Sequence, residues 1–147
     1  MRGTTREPGR LSAIQAEGLE GAVADPDRAG SIVDLIGDVT LLFWLLGSAV
    51  GEAEAVAAIH GPRLERVLEK VVDSPVRGFV YEAGGSISAD HRERGAELVR
   101  EAGRRWRIPV AVVEADPGRT ESWTAAMLAA AGRLTAAGRA GSERPDY

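Results

Sequence analysis

Two groups of carboxylates stand where apolar runs end: Glu82 after Gly78-Phe79-Val80-Tyr81, and Glu114 with Asp116 after Val110-Ala111-Val112-Val113. If those runs are neighbouring strands, the carboxylates face one crevice, and paired carboxylates in unlike surroundings can do acid/base work. Asp116-Pro117-Gly118 also has the composition of a plain turn, which is the better account of it. His60 and His91 lie far apart, and neither has a partner at i+4 or a cysteine nearby, so no metal site is expected. His60, before Gly61-Pro62, reads as a helix-end residue rather than a base. His91, beside Arg92, reads as a solvated residue in a first helical turn. The chain has no cysteine, which removes disulfides, thiolate metal sites and a cysteine nucleophile together.

The elements that must position these groups show in the hydrophobic pattern. The longest apolar run follows Asp38 and closes on Leu46-Gly47-Ser48. It reads as a strand over 39–46 buried on both faces, the kind found in a parallel sheet covered by helices. Shorter apolar runs lie at 20–24, 77–83 and 109–114, and amphipathic stretches at about 7–17, 27–36, 52–73, 89–106 and 120–138. Strands alternating with helices of this length indicate βαβ units with right-handed crossovers. Leu64, Val67, Leu68 and Val71 recur at helical spacing and mark a core face. Gly95, Leu98, Val99, Ala102 and Trp106 mark a second. Gly61 before Pro62 is expected to break the third helix.

The composition of the 147 residues, 44% hydrophobic and 27% charged, is that of an ordinary globular domain. A net charge of −4 argues against a nucleic-acid footprint, and the arginines are scattered rather than clustered. No apolar run reaches the roughly 20 residues of a spanning helix, and the N-terminus has no signal-peptide core. A soluble, cytoplasmic protein with no membrane partner is expected; homodimerisation stays open. The residues from Gly138 lack periodicity, so a domain over 1–138 with a disordered tail over 139–147 is expected.

Taken in order, these segments resemble the nucleotide-binding half of an extended or atypical short-chain dehydrogenase/reductase, of the NAD-dependent epimerase/dehydratase group. Arg2-Gly3-Thr4-Thr5-Arg6 resembles the end of that family's second strand, and Gly18 to Asp27 its third strand with the acidic residue after it. Asp38 to Ser48 resembles the fourth strand, Val76 to Glu82 the fifth, and Ile108 to Val113 the sixth. The fold so implied is α/β: a three-layer, mostly parallel Rossmann-like sheet with helices on both faces. The resemblance also implies an NAD or NADP cofactor. Arg6 matches the basic residue that meets the adenosine 2′-phosphate in NADP-preferring members, so it favours NADP. Asp25 matches the acidic residue that accepts from the adenine amino group, and Leu46, Gly47 and Ser48 match the strand-end residues lining the nucleotide ribose. Read from the residues alone, Arg6 serves equally as a solvated arginine, Asp25 as the cap of a helix starting near Asp27, and Gly47-Ser48 as a turn.

Two parts of the family pattern are missing. A glycine-rich turn should follow a first strand and open a helix. Gly18-Leu19-Glu20-Gly21-Ala22-Val23-Ala24 matches such a turn by letter but precedes an apolar run. The first strand would lie upstream of the second, which here begins at Met1, so the domain is expected to be N-terminally truncated. Strand 1 sits mid-sheet in the order 3-2-1-4-5-6, and its loss leaves unpaired edges on both sides. Either the polypeptide extends upstream, or the gene is a remnant, or the 39–46 strand pairs directly with an early strand; the first two are favoured. Between Gly84 and Arg119 there is also neither Tyr nor Lys for the family's Tyr-x-x-x-Lys proton relay, and Ser86 is the closest hydroxyl to its serine segment. The expectation is an NAD(P)-binding domain without that oxidoreductase chemistry. The alternative is a non-enzymatic scaffold or sensor that uses the fold for protein contacts.

Overall fold

Five short strands alternate with helices in a computed structural model that describes residues 1–142, with side chains through residue 137. The strands are β1 (Arg2–Thr5), β2 (Glu20–Val23), β3 (Leu41–Trp44), β4 (Gly78–Glu82) and β5 (Val110–Val113). The helices are α1 (Leu11–Ala16, after a single 3-10 turn at Pro8–Arg10), α2 (Ala29–Val33), α3 (Ala53–Ile59), α4 (Pro62–Val71), α5 (Ala89–Trp106) and α6 (Thr120–Ser142). Every strand pairing is parallel, as βαβ crossovers require. The strands form two sheets, β1-β2 and β3-β4-β5. Gly3 lies opposite Gly21, Phe43 opposite Val80, and Tyr81 opposite Val112.

The two sheets run the same way. At their feet, Arg2 of β1 donates to the Leu35 carbonyl at 2.6 Å and pairs with Asp38 at 3.1 Å, just ahead of β3. At their heads, Asp27 beyond β2 meets Arg63 of the first turn of α4 at 3.7 Å. Among the described residues no strand lies between β1 and β3 and no ladder joins them.

β4 is buried along its whole length, with Phe79, Val80 and Tyr81 fully inaccessible. A strand covered on both faces needs this continuous apolar run. On one face Phe79 and Tyr81 pack against Leu64, Val67, Leu68 and Val71 of α4 and Val99 of α5, joined by Ile32 and Ile36 from α2 and the residues after it. On the other, Val80, Ala111 and Val113 pack under Met127, Ala130 and Leu134 of α6. α1 covers the small β1-β2 sheet, where a Cβ on Gly3 would stand 3.0 Å from Ile14.

The core stripe of α4 is the one its spacing predicts, and the expected 52–73 helix is broken before Gly61-Pro62 into α3 and α4. On α5 the buried stripe is Gly95, Ala96, Val99 and Ala102, with Leu98 and Trp106 half-buried at its margin. Gly95 is required: a Cβ there would overlap the Tyr81 hydroxyl.

The long apolar run departs from expectation. Only Leu41–Trp44 is strand, and Leu41, Leu42 and Phe43 are half-buried rather than enclosed. The cause is its edge position, since β3 has a neighbour on the β4 side alone. α6 runs to Ser142, across the first residues of the tail expected from 139; residues 143–147 lie outside the described residues. No helix is long and apolar enough to cross a membrane among the described residues.

Candidate functional site

Parallel strands deliver their C-terminal ends to one side, and there Glu82 is a buried carboxylate, only 3% exposed. Its Oε1 accepts the main-chain N–H of Gly47 at 2.9 Å and its Oε2 accepts the indole N–H of Trp123 at 2.7 Å. One carboxylate thus ties the end of β3, the end of β4 and the start of α6, and both its oxygens are satisfied as burial demands. Around it the backbone closes without room for side chains. A Cβ on Gly47 would overlap the Gly84 carbonyl, one on Gly84 the Ala115 carbonyl, and one on Gly85 the Gly47 carbonyl. Gly85 also has φ 124°, a conformation that favours glycine. Ser48 Oγ accepts the Ser86 N–H at 3.3 Å, and the Gly47 carbonyl accepts the Ile87 N–H at 3.1 Å.

Behind this rim sits His60, at the end of α3 and fully buried. Its Nε2 lies 2.8 Å from the Leu46 carbonyl, which can only accept, so Nε2 carries the proton. Nδ1 therefore accepts, and the Tyr81 hydroxyl donates to it at 2.6 Å. Burial pushes the His60 pKa down, against the upward pull of the Leu46 carbonyl. Burial likewise pushes the Tyr81 phenol up. Arg92 donates to the Ala83 carbonyl at 3.4 Å, and its Nε is buried without a partner among the described residues.

The five residues matched to cofactor contacts fall into two groups on either side of the gap. Arg6 follows β1 and Asp25 follows β2, held side by side by the Ala24 N–H to Thr5 carbonyl bond of 3.0 Å. Arg6 is exposed and makes no hydrogen bond among the described residues. Asp25 does not cap α2. Its Oδ1 accepts the Asp27 N–H at 2.9 Å, while its main-chain carbonyl accepts from Ser31 Oγ at 3.0 Å and from the Arg28 N–H at 2.9 Å. Across the gap, Leu46 is half-buried on the core, Gly47 is buried in the Glu82 junction, and Ser48 is exposed. The suggested pairing of Glu82 with Asp116 does not form a shared crevice. Asp116 is exposed, and its Oδ1 accepts the Gly118 N–H at 2.9 Å within its own turn.

Sequence reasoning missed the His60–Tyr81 bond and the Trp123–Glu82 bond. Both join residues far apart in the chain, and neither has a local spacing signal. A weak signal existed for Glu82: a charged residue directly continuing a wholly apolar strand must find donors if it is buried.

No family model matches the chain, and a search of curated proteins finds no match. Solved structures do match. A protein called gox2253 aligns with a TM-score of 0.62 at 14% identity, over 76% of this chain and 42% of its own. The Citrobacter sp. triphenylmethane reductase complexed with NADP(H) gives 0.57 at 16% identity, over 77% of this chain and 39% of its own. A mutant UDP-glucuronic acid 4-epimerase from Bacillus cereus, complexed with a fluorinated sugar nucleotide and NAD, gives 0.56 at 11% identity, over 72% and 42%. The chain thus spans about two-fifths of the length of these proteins. At such identities the likeness concerns the backbone: this chain carries a Rossmann-like α/β fold of the kind found in an NADP(H)-complexed reductase and an NAD-complexed epimerase.

Proposed function

We propose that the chain is the adenosine-recognising part of an NAD(P)-binding domain, without oxidoreductase chemistry of the Tyr/Lys type. One observation carries the reading. Arg6, Asp25 and Leu46-Gly47-Ser48 all emerge at the C-terminal ends of β1, β2 and β3, on the two sides of the place where strand order reverses, which is where open α/β sheets bind ligands. The residues present fit the adenosine end of a dinucleotide. Arg6 offers an unengaged fork of donors suited to a phosphate, Asp25 Oδ2 an unengaged acceptor, and Ser48 an exposed hydroxyl. They do not supply a pyrophosphate cradle, because among the described residues no helix N-terminus opens between β1 and β3. Among the described residues the one tyrosine, Tyr81, is buried and donates to His60 rather than facing a ligand, which supports the reading without a Tyr/Lys relay.

Thermal-shift titration of the chain with NADPH and with NADH tests this reading. A saturable shift, larger for NADPH, is expected; no shift with either nucleotide at millimolar concentration overturns it. The unpaired edges of β1 and β3 favour the scaffold reading as the second choice, since open strand edges recruit other polypeptide. Light scattering that finds complexes and calorimetry that finds no nucleotide response would select it.

A further inference from the structure

At the end of the β3-β4-β5 sheet opposite Glu82, a hollow of about 160 Å3 opens between the ends of α4 and α5 and the starts of β4 and β5. Val71 and Val76 in its lining are buried, and Trp106, Ile108 and Pro109 are half-buried. Two exposed arginines complete the rim, Arg77 ahead of β4 and Arg107 after α5. They lie far apart in the chain and share one rim because β4 pairs with β5. No acidic residue lines the hollow among the described residues.

Helix ends account for part of this positive charge and not for the rest. Arginines in a last turn answer the carbonyl end of a helix, as Arg104 and Arg105 do on α5. At the end of α4 that role falls to Ser74, whose Oγ donates to the Val71 carbonyl at 2.7 Å. Arg77 commits one nitrogen to the main chain, with Nη1 reaching the Ser74 carbonyl at 3.3 Å and the Val76 carbonyl at 3.4 Å. Its remaining donors have no partner among the described residues, and neither has the Arg107 side chain. Arg107 is also left-handed, with φ 55°, at a helix end where glycine is the favoured residue. Between the two arginines stands Trp106, with the Arg105 guanidinium 5.3 Å from its ring centroid.

We propose that this hollow binds a small aromatic carboxylate, its ring on the apolar lining and its carboxylate held by Arg77 and Arg107. An apolar cavity of ~150 Å3 accepts a benzene ring, so the volume admits one ring and little more. A guanidinium fork matches a carboxylate with two parallel hydrogen bonds. An apolar lining with a few placed polar groups is the usual make-up of a small-ligand site. A dinucleotide exceeds this volume, and the hollow lies at the other end of the strands from Leu46-Gly47-Ser48, so it is independent of the cofactor reading.

The test is titration of the 15N-labelled chain with benzoate at pH 7 and constant ionic strength, followed at the three indole N–H signals. Trp44 donates to the Ile59 carbonyl at 3.2 Å and Trp123 to Glu82 at 2.7 Å, and neither lines the hollow. The Trp106 signal, assigned by its disappearance in Trp106→Phe, should therefore move alone. Saturation at about 1–10 mM benzoate is expected for a ligand of this size. Benzamide keeps the ring without the charge and acetate the charge without the ring; each should bind about tenfold more weakly or worse. Arg77→Gln and Arg107→Gly should each weaken benzoate binding about fivefold or more. Glycine suits the left-handed backbone, so Arg107→Gly should melt no lower than the parent, which separates lost binding from lost folding. Unmoved Trp44 and Trp123 signals give the same control for Arg77→Gln. No saturable movement of Trp106 up to about 50 mM benzoate, equal binding of benzamide or acetate, unchanged affinity in either arginine variant, or movement of all three indoles alike would each overturn the proposal.

Discussion

The Tyr81 hydroxyl donates to His60 Nδ1 at 2.6 Å, and this fixes the tautomer of a fully buried imidazole whose other nitrogen holds the Leu46 carbonyl at 2.8 Å. The residue that ends α3 thereby grips the chain after β3 with its own Nε2–H while its Nδ1 accepts a hydrogen bond from β4. Tyr81→Phe leaves Nδ1 buried without a donor, an expected loss of about 1–3 kcal/mol in urea unfolding. His60→Leu,Tyr81→Phe, which removes both polar partners, should lose less than the two single changes summed.

The same histidine gives the fold a pH dependence. Burial lowers its pKa in the folded protein below the ordinary 6.5, so the unfolded chain takes up the proton first as pH falls. This contribution to stability is complete above the unfolded pKa and is lost progressively below it, down towards the folded value. Unfolding curves between about pH 5 and pH 7.5 should therefore steepen in midpoint loss on the acid side, and the His60→Gln variant should flatten that slope.

Gly95 and Tyr81 form a contact that tolerates no methyl group, because a Cβ at Gly95 would overlap the phenol oxygen. Gly95→Ala is expected to cost about 1–3 kcal/mol by overpacking. Combined with Tyr81→Phe, part of that cost should vanish, a non-additivity that a double-mutant cycle of thermal melts would read.

Glu82 is expected to be a structural anchor. Glu82→Ala orphans the Gly47 N–H and the Trp123 indole N–H together, with an expected loss of about 3 kcal/mol or more. Glu82→Gln retains one acceptor and should fall between this variant and the parent. Tryptophan emission would report the release of Trp123.

Arg6 separates affinity from stability. It is exposed and without hydrogen bonds among the described residues, so Arg6→Ala should change stability by less than about 0.5 kcal/mol. On the proposed reading it should weaken NADPH binding about tenfold or more while leaving NADH binding unchanged, as calorimetry would show.

The sequence was most legible where periodicity is long. The α4 stripe of Leu64, Val67, Leu68 and Val71, the Gly61-Pro62 break and the run Phe79-Val80-Tyr81 are encoded locally, and each was found where expected. The strand-to-strand order could be read because βαβ crossovers leave few topologies. The length and burial of β3 were misread, because a run of Leu and Phe looks the same whether one neighbour or two enclose it. At the candidate site, the Asp116-Pro117-Gly118 turn was legible from its residue types. The Glu82 junction and the His60–Tyr81 pair were not, since both depend on side chains that meet only after three strands have aligned.

The gap also divides the molecule energetically. Residues 1–24 make β1, α1 and β2 from contacts among themselves, and α1 contributes no buried residue at all. Their ties to the remainder run through the Arg2 clasp at Asp38, and through Ala24 with the α2 segment that follows it. Cooperativity needs shared interfaces, and here the interface that would be shared is an open seam. The N-terminal unit is therefore expected to open as a separate foldon, at lower free energy than the β3-β4-β5 core, and amide exchange at residues 1–24 should be faster than at Phe79 to Tyr81.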